Sequence, residues 1–182
     1  VANAVYDQGV SNALVDVLPN PSSLMSIGQM SEIAFMLLMP LMFMRLGVKW
    51  MLAIGMSAWI LRYALFAIGA PDAVFWMVAG GVLLHGICYD FFFVTGHIYV
   101  DKKSTPAVRG QAQGILVLVT YGLGMFVGAQ IAGAIFNRFL DGATTLTLER
   151  WQEFWWVPAG FALLVLVLFM LTFKDDVERS AG

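Results

Sequence analysis

Five runs of about 20 or more mostly apolar residues take up most of this sequence and leave few folds open to it. A helix of that length spans the roughly 30 Å hydrocarbon core of a bilayer. The runs cover approximately residues 24–44, 50–69, 73–100, 108–136 and 154–173. Hydrophobic residues make up 60% of the 182 residues and charged residues 12%, against about 25% charged in soluble domains. The sequence therefore predicts an all-α, polytopic transmembrane helical bundle.

Basic residues are distributed unevenly among the loops between these runs. Most of them fall in the loops that would share one side of the membrane: Arg45, Lys49, Lys102, Lys103, Arg109, Lys174 and Arg179. Lys and Arg concentrate on the cytoplasmic side of membrane proteins. We therefore expect a five-helix bundle over residues 27–173 and a cytoplasmic tail over residues 174–182.

The first 26 residues differ from the rest because they are more polar and carry no signal-peptide pattern. We interpret residues 1–26 as the end of a truncated transmembrane helix followed by an extracytoplasmic loop, and the chain as a fragment. A sixth helix ending near Asn3 would make a six-helix unit, the size of one half of a major facilitator transporter.

Small residues recur at four-residue spacing along the fourth run. Gly110 precedes Gly114, and Gly124 precedes Gly128. This spacing lets the backbones of membrane helices approach closely. The fourth helix is therefore expected to pack tightly against a neighbour.

Three ionisable residues, Glu32, Arg62 and Asp90, lie well inside the apolar runs. Counted from the nearest basic residue at the expected cytoplasmic end, each lies about 18–20 Å deep, near the middle of the membrane. An uncompensated charge there costs at least about 3 kcal/mol. These side chains must pair, face a wet cavity or hold a proton. An ion pair between Arg62 and Asp90 that only fixes packing is one possibility.

Two polar pairs share helix faces near the same depth. Gln29 and Glu32 are three residues apart, and His85 and Tyr89 are four apart. One face thus offers an amide and a carboxylate, and the other offers an imidazole and a phenol. This combination suits a polar, uncharged molecule with hydroxyl groups and a flat ring. The alternative is that Glu32 and His85 are hydrogen-bonded packing residues.

Other chemistries find little support in the sequence. A metal site from Glu32, His85 and Asp90 is conceivable but lacks a ligand-spacing signature, and no GxSxG elbow indicates nucleophilic catalysis. The single cysteine, Cys88, is interpreted as a packing residue. The net charge of −2, without a basic run, gives no sign of nucleic-acid binding. We expect no enzyme activity, no metal and no cofactor.

The stretches "QMSE", "AWILRYALFA" and "YDFF" resemble the bacterial nucleoside:proton symporters of the major facilitator superfamily, over about residues 28–133. The resemblance implies the C-terminal six-helix half of a twelve-helix transporter, with five complete helices here and substrate bound at mid-membrane. It places Gln29, Glu32, His85 and Tyr89 in the nucleoside site, and it also suggests Asn3. Some members carry an aromatic residue where His85 stands.

The resulting hypothesis is proton-coupled nucleoside uptake across the bacterial inner membrane by alternating access. Asp90, Glu32 and Arg62 are the candidates for proton coupling, because coupling needs a group whose charge changes between the outward-open and inward-open states. The expected partners are a nucleoside, the lipid bilayer and the N-terminal six-helix half, with the proton as coupling ion. Rival hypotheses are a major facilitator transporter of another polar solute such as a sugar, a membrane-embedded enzyme and a structural subunit.

Overall fold

The computed structural model describes residues 21–69, 74–143 and 146–174, and every regular element in these ranges is helical. The α-helices are α1 (Pro21–Gly69), α2 (Phe75–Tyr89), α3 (Thr95–Lys103), α4 (Arg109–Val117), α5 (Met125–Leu140) and α6 (Leu148–Thr172). Two π-helical turns, Asp90–Val94 and Leu118–Gly124, join α2 to α3 and α4 to α5. The predicted all-α fold is therefore confirmed for the described residues. Residues 1–20 and the tail from 175 lie outside them.

Four helical runs of the described residues are long and apolar enough to cross a membrane. They are Ser26–Gly69, Trp76–Lys103, Arg109–Leu140 and Glu149–Thr172. The first has 44 residues and would be about 66 Å long if straight, twice the hydrocarbon thickness. This length requires a reversal of direction within α1.

The reversal occurs at Gly47, whose backbone is non-helical with φ 73° and ψ 176°. Met39 and Met51, on either side of it, both belong to one cluster with Phe91, which a straight helix would not allow. The two halves of α1 are thus two antiparallel spans, which correspond to the first two predicted helices. The loop expected between them is reduced to one residue. At its other end α1 starts at Pro21, inside the segment that the sequence assigned to a loop.

Basic side chains gather at one end of the bundle. Lys49 donates hydrogen bonds to the carbonyls of Met170 (3.1 Å) and Phe173 (2.7 Å) and so caps α6, whose last carbonyls have no partner within the helix. Lys102 lies over the ring of Phe43, 4.8 Å from its centroid. The bend in α1, the end of α3 and the end of α6 therefore share one end of the bundle.

The core is built by α1, α2, the first π-helical turn and α6. The buried members of its three clusters are Phe66, Val78, Val82 and Trp151; Met39, Met51 and Phe91; and Val48, Leu52 and Met56. In lipid, helices associate through close packing rather than through a hydrophobic driving force, so these interlocked side chains hold the spans together.

The α4–α5 run packs far more loosely, and no residue of α4, the second π-helical turn or α5 is buried. A Cβ atom placed on Gly110, Gly114 or Gly128 would meet nothing within 4 Å. The prediction that this small-residue stripe packs tightly against a neighbouring helix is wrong for the described part of the chain.

We predict that Gly47→Ala destabilises the protein by about 1–3 kcal/mol, because this backbone conformation is almost restricted to glycine. The measurement is the melting temperature of the purified full-length protein in detergent. Gly160→Ala is the matched control, since nothing lies within 4 Å of a Cβ atom there. Equal melting temperatures for the two variants would contradict the role given to Gly47.

Candidate functional site

A chain of hydrogen bonds through His85 forms the centre of the candidate site. Nη1 of Arg62 donates to Nδ1 of His85 at 2.6 Å, and Nε2 of His85 lies 2.9 Å from Oε1 of Glu32. A guanidinium has donors but no acceptor, so Nδ1 must be the accepting nitrogen and the ring proton must sit on Nε2. His85 is therefore neutral in this arrangement and donates to the Glu32 carboxylate.

The bend at Gly47 brings Glu32 and Arg62 to the same depth. Glu32 lies fifteen residues before Gly47 and Arg62 fifteen residues after it, so each is about 22 Å from the bend. In a straight helix, the thirty residues between them would place the two side chains about 45 Å apart. His85 on α2 enters between the two halves of α1 and bonds both.

Arg62 is held in place by aromatic rings as well as by His85. Its guanidinium carbon lies 5.7 Å from the ring centroid of Trp59 and 5.4 Å from that of Phe66, within the range of cation–π attraction. Its buried Nε atom has no hydrogen-bond partner among the described residues. The two aromatic rings and the hydrogen bond to His85 therefore hold the Arg62 guanidinium in place.

Close backbone contact between α1 and α2 makes the His85–Glu32 bond possible. A Cβ atom on Gly86 would lie 2.6 Å from the carbonyl carbon of Ser31 and 2.8 Å from the nitrogen of Glu32. The Gly86 N–H also donates to Oγ of Ser31 at 3.2 Å, and that hydroxyl donates to the carbonyl of Gly28 at 2.6 Å. Only a glycine at position 86 allows this approach without displacing backbone.

Tyr89 lies one turn beyond His85, as the sequence predicts, with 6.2 Å between the two ring centroids. Its hydroxyl is 2.9 Å from the hydroxyl of Tyr121, a residue that the sequence analysis did not select. The signal available for Tyr121 was a hydroxyl in an apolar run, where a buried Tyr usually needs a partner. Gln29 is exposed one turn before Glu32, and Asn3 lies outside the described residues.

Asp90 occupies a different environment from the other candidates. The residue is 0% exposed, and neither carboxylate oxygen has a hydrogen-bond partner among the described residues. It begins the first π-helical turn. The proposed Arg62–Asp90 ion pair does not form, because Arg62 bonds His85 instead. Asp90 is fully buried, whereas the side chains of Glu32 and His85 stay partly exposed.

The geometry favours binding over catalysis. The side chains of Glu32 and His85 are 26% and 33% exposed, so both remain accessible while bonded to each other. A carboxylate accepts several hydrogen bonds, and His85 uses one of these positions, which leaves others for ligand hydroxyl groups. The described residues contain no group of three or more His, Cys, Asp or Glu side chains that could hold a metal ion.

The chain is similar to several transport proteins. A family model described as "Nucleoside H+ symporter" matches residues 3–178. The chain is 34% identical to the xanthosine permease of Escherichia coli (strain K12), over 90% of this chain and 39% of that protein. It is 33% identical to the nucleoside permease NupG of the same organism, over 93% of this chain and 40% of that protein. It thus spans about 40% of the length of these relatives.

A crystal structure of the nucleoside transporter NupG resembles the fold, with a TM-score of 0.75 and 34% identity over 83% of this chain and 37% of that one. This likeness confirms the prediction of a transmembrane helical bundle. The family is one of transporters, which also confirms that the chain is part of a multi-pass membrane protein and not of an enzyme. Since the family model covers nearly the whole chain, the chain belongs to the nucleoside H+ symporter family.

Proposed function

We propose that this chain is the C-terminal half of a proton-coupled nucleoside importer in a bacterial inner membrane. The observation that carries the proposal is the chain of hydrogen bonds from Arg62 through His85 to Glu32, which leaves an accessible carboxylate inside an apolar bundle. Membership of the nucleoside H+ symporter family supports the substrate class, and it leaves the sugar alternative without support.

Glu32 is the proposed acceptor for ribose hydroxyl groups. A neutral ribose donates hydrogen bonds, and a carboxylate is the strongest acceptor that a protein side chain supplies. Gln29, one turn away on the same helix, adds an amide that can donate or accept. His85 and Tyr89 supply rings on the facing helix against which the base can stack. Asn3 stays a proposed further contact.

Asp90 is the proposed carrier of the coupled proton. Its carboxyl group is buried and has no partner among the described residues. A buried carboxylate without a partner is costly, so the group is stable there when protonated and must meet water to ionise. A group that ionises in only one access state links proton movement to the conformational cycle. Glu32 and Arg62, already paired through His85, are weaker candidates for this role.

The proposed orientation places the end that holds Lys49 and Lys102 in the cytoplasm, and the C-terminus with it. The other proposed partners are the lipid bilayer and an N-terminal six-helix half, with the proton as coupling ion and no cofactor.

The proposal is tested by uptake of labelled uridine and adenosine into cells that express the full-length gene, with and without a proton uncoupler. We expect accumulation above the external concentration and its loss when the uncoupler is added. Absence of uptake of both nucleosides, with the protein confirmed in the membrane, would refute the proposal.

We predict that Glu32→Gln and Asp90→Asn impair transport in different ways. Glu32→Gln should raise the KM for uridine about ten-fold or more, because a hydrogen bond to a charged acceptor is lost.

Asp90→Asn should abolish uphill accumulation and retain exchange of labelled for unlabelled uridine. Glu149→Gln, in the first turn of α6, is the control. Uncoupler-sensitive accumulation by Asp90→Asn would contradict its coupling role.

We predict that Gly86→Ala weakens uridine binding by separating α1 from α2, since the added methyl group meets Ser31 backbone atoms at 2.6–2.7 Å. The expected result is a rise in KM of about ten-fold or more, as for loss of the Glu32 contact. Gly96→Ala is the control on the same helical run, because nothing lies within 4 Å of its Cβ position. An equal KM for both variants would show that the close approach at Gly86 is not needed for the site.

A further inference from the structure

Polar contacts at three levels join the α2–α3 run to the α4–α5 run within the described part of the chain. Nε of Arg109 lies 3.1 Å from Oδ1 of Asp101 in a salt bridge. Nδ1 of His97 lies 2.7 Å from Oε1 of Gln113, and Nε2 of Gln113 donates to the His97 carbonyl at 2.8 Å. The hydroxyls of Tyr89 and Tyr121 are 2.9 Å apart. Between them these contacts extend from the end of the bundle towards its middle.

The contacts follow a strict antiparallel register. His97 and Gln113 each lie four residues from the Asp101–Arg109 salt bridge, and Tyr89 and Tyr121 each lie twelve residues from it. Twelve residues correspond to about 18 Å, so the tyrosine pair lies near mid-membrane. It is the contact of the three that reaches the proposed substrate site.

Tyr121 is well fixed by its surroundings even though its helix is exposed. Phe93 lies between the two tyrosines, 5.3 Å from the ring centroid of Tyr89 and 5.4 Å from that of Tyr121. A tyrosine hydroxyl in an apolar environment is costly to leave unpaired, and here one of the two hydroxyls donates a hydrogen bond to the other. Tyr121 lies within the second π-helical turn, and Tyr89 directly precedes the first. Such turns often occur at functional sites.

We infer that Tyr121 is a positioning residue of the substrate site, which holds Tyr89 in the orientation that the base stacks against. This inference rests on the proposed nucleoside transport. Tyr89 ends α2 one turn beyond His85, and its ring has only its hydroxyl as a polar anchor. The hydroxyl of Tyr121, on the α4–α5 run, forms a hydrogen bond with the Tyr89 hydroxyl and so holds the Tyr89 ring in place. Tyr121 itself makes no contact with substrate in this scheme and acts through Tyr89.

The test is a double-variant cycle in the full-length transporter, with the KM for uridine uptake as readout. Tyr121→Phe keeps the ring beside Phe93 and removes only the hydroxyl. We expect Tyr121→Phe and Tyr89→Phe each to raise KM about three-fold, with Vmax per transporter unchanged, as loss of one interhelical hydrogen bond in a membrane predicts. The double variant should raise KM no further than the single variants, because both remove the same bond.

Tyr99→Phe is the matched control. Tyr99 lies on α3 and packs on Phe173 at the opposite end of the run from His85, so its KM should equal that of the wild type. A wild-type KM for Tyr121→Phe, or a double variant whose effect is the product of the two single effects, would overturn the positioning role while leaving nucleoside transport intact. A wild-type protein that transports neither uridine nor adenosine would overturn the proposed function itself.

Discussion

The hydrogen bonds that His85 makes to Arg62 and Glu32 determine how the rest of the bundle must be arranged. A polar side chain at mid-membrane depth needs a partner, because lipid offers none. Joining two residues of one 49-residue helix through a third residue requires that helix to reverse midway between them. Gly47 supplies the reversal, and Gly86 lets α2 come close enough to reach both halves. The two special glycines therefore serve one polar network.

Glu32 and Asp90 lie in different environments, and this difference is the basis for proposing that one binds substrate and the other carries the coupled proton. Glu32 is bonded and accessible, so it can meet a ligand while remaining satisfied by His85. Asp90 is enclosed and without a partner among the described residues, so no ligand reaches it in this conformation. Asp90 follows Tyr89 directly in the chain. In the proposed scheme, the residue on which the base stacks is therefore next in the chain to the residue that carries the proton.

The sequence predicted the transmembrane helical bundle, because this follows from apolar run length, whereas the role and the depth of the ionisable residues, inferred by counting residues, stay predictions. The sequence did not predict which of the ionisable side chains contact each other. Arg62 and Asp90 lie at similar depth on consecutive spans and were reasonable partners, but depth carries no information about rotation around the helix. The two π-helical turns add to this uncertainty, since an extra residue in a turn rotates everything beyond it by about 100°. The sequence did not identify Tyr121 for the same reason, because its contact with Tyr89 depends on how each helix is rotated about its own axis.

The matching π-helical turns also explain how the loosely packed α4–α5 run stays in register. One such turn in a single helix would rotate its outer half away from its neighbour, whereas one in each run at the same level keeps Tyr89 and Tyr121 opposite each other. Interhelical hydrogen bonds in membranes average only about 0.6 kcal/mol, so the three contacts specify position more than they hold the helices together. A slide of α4–α5 by one residue breaks all three at once.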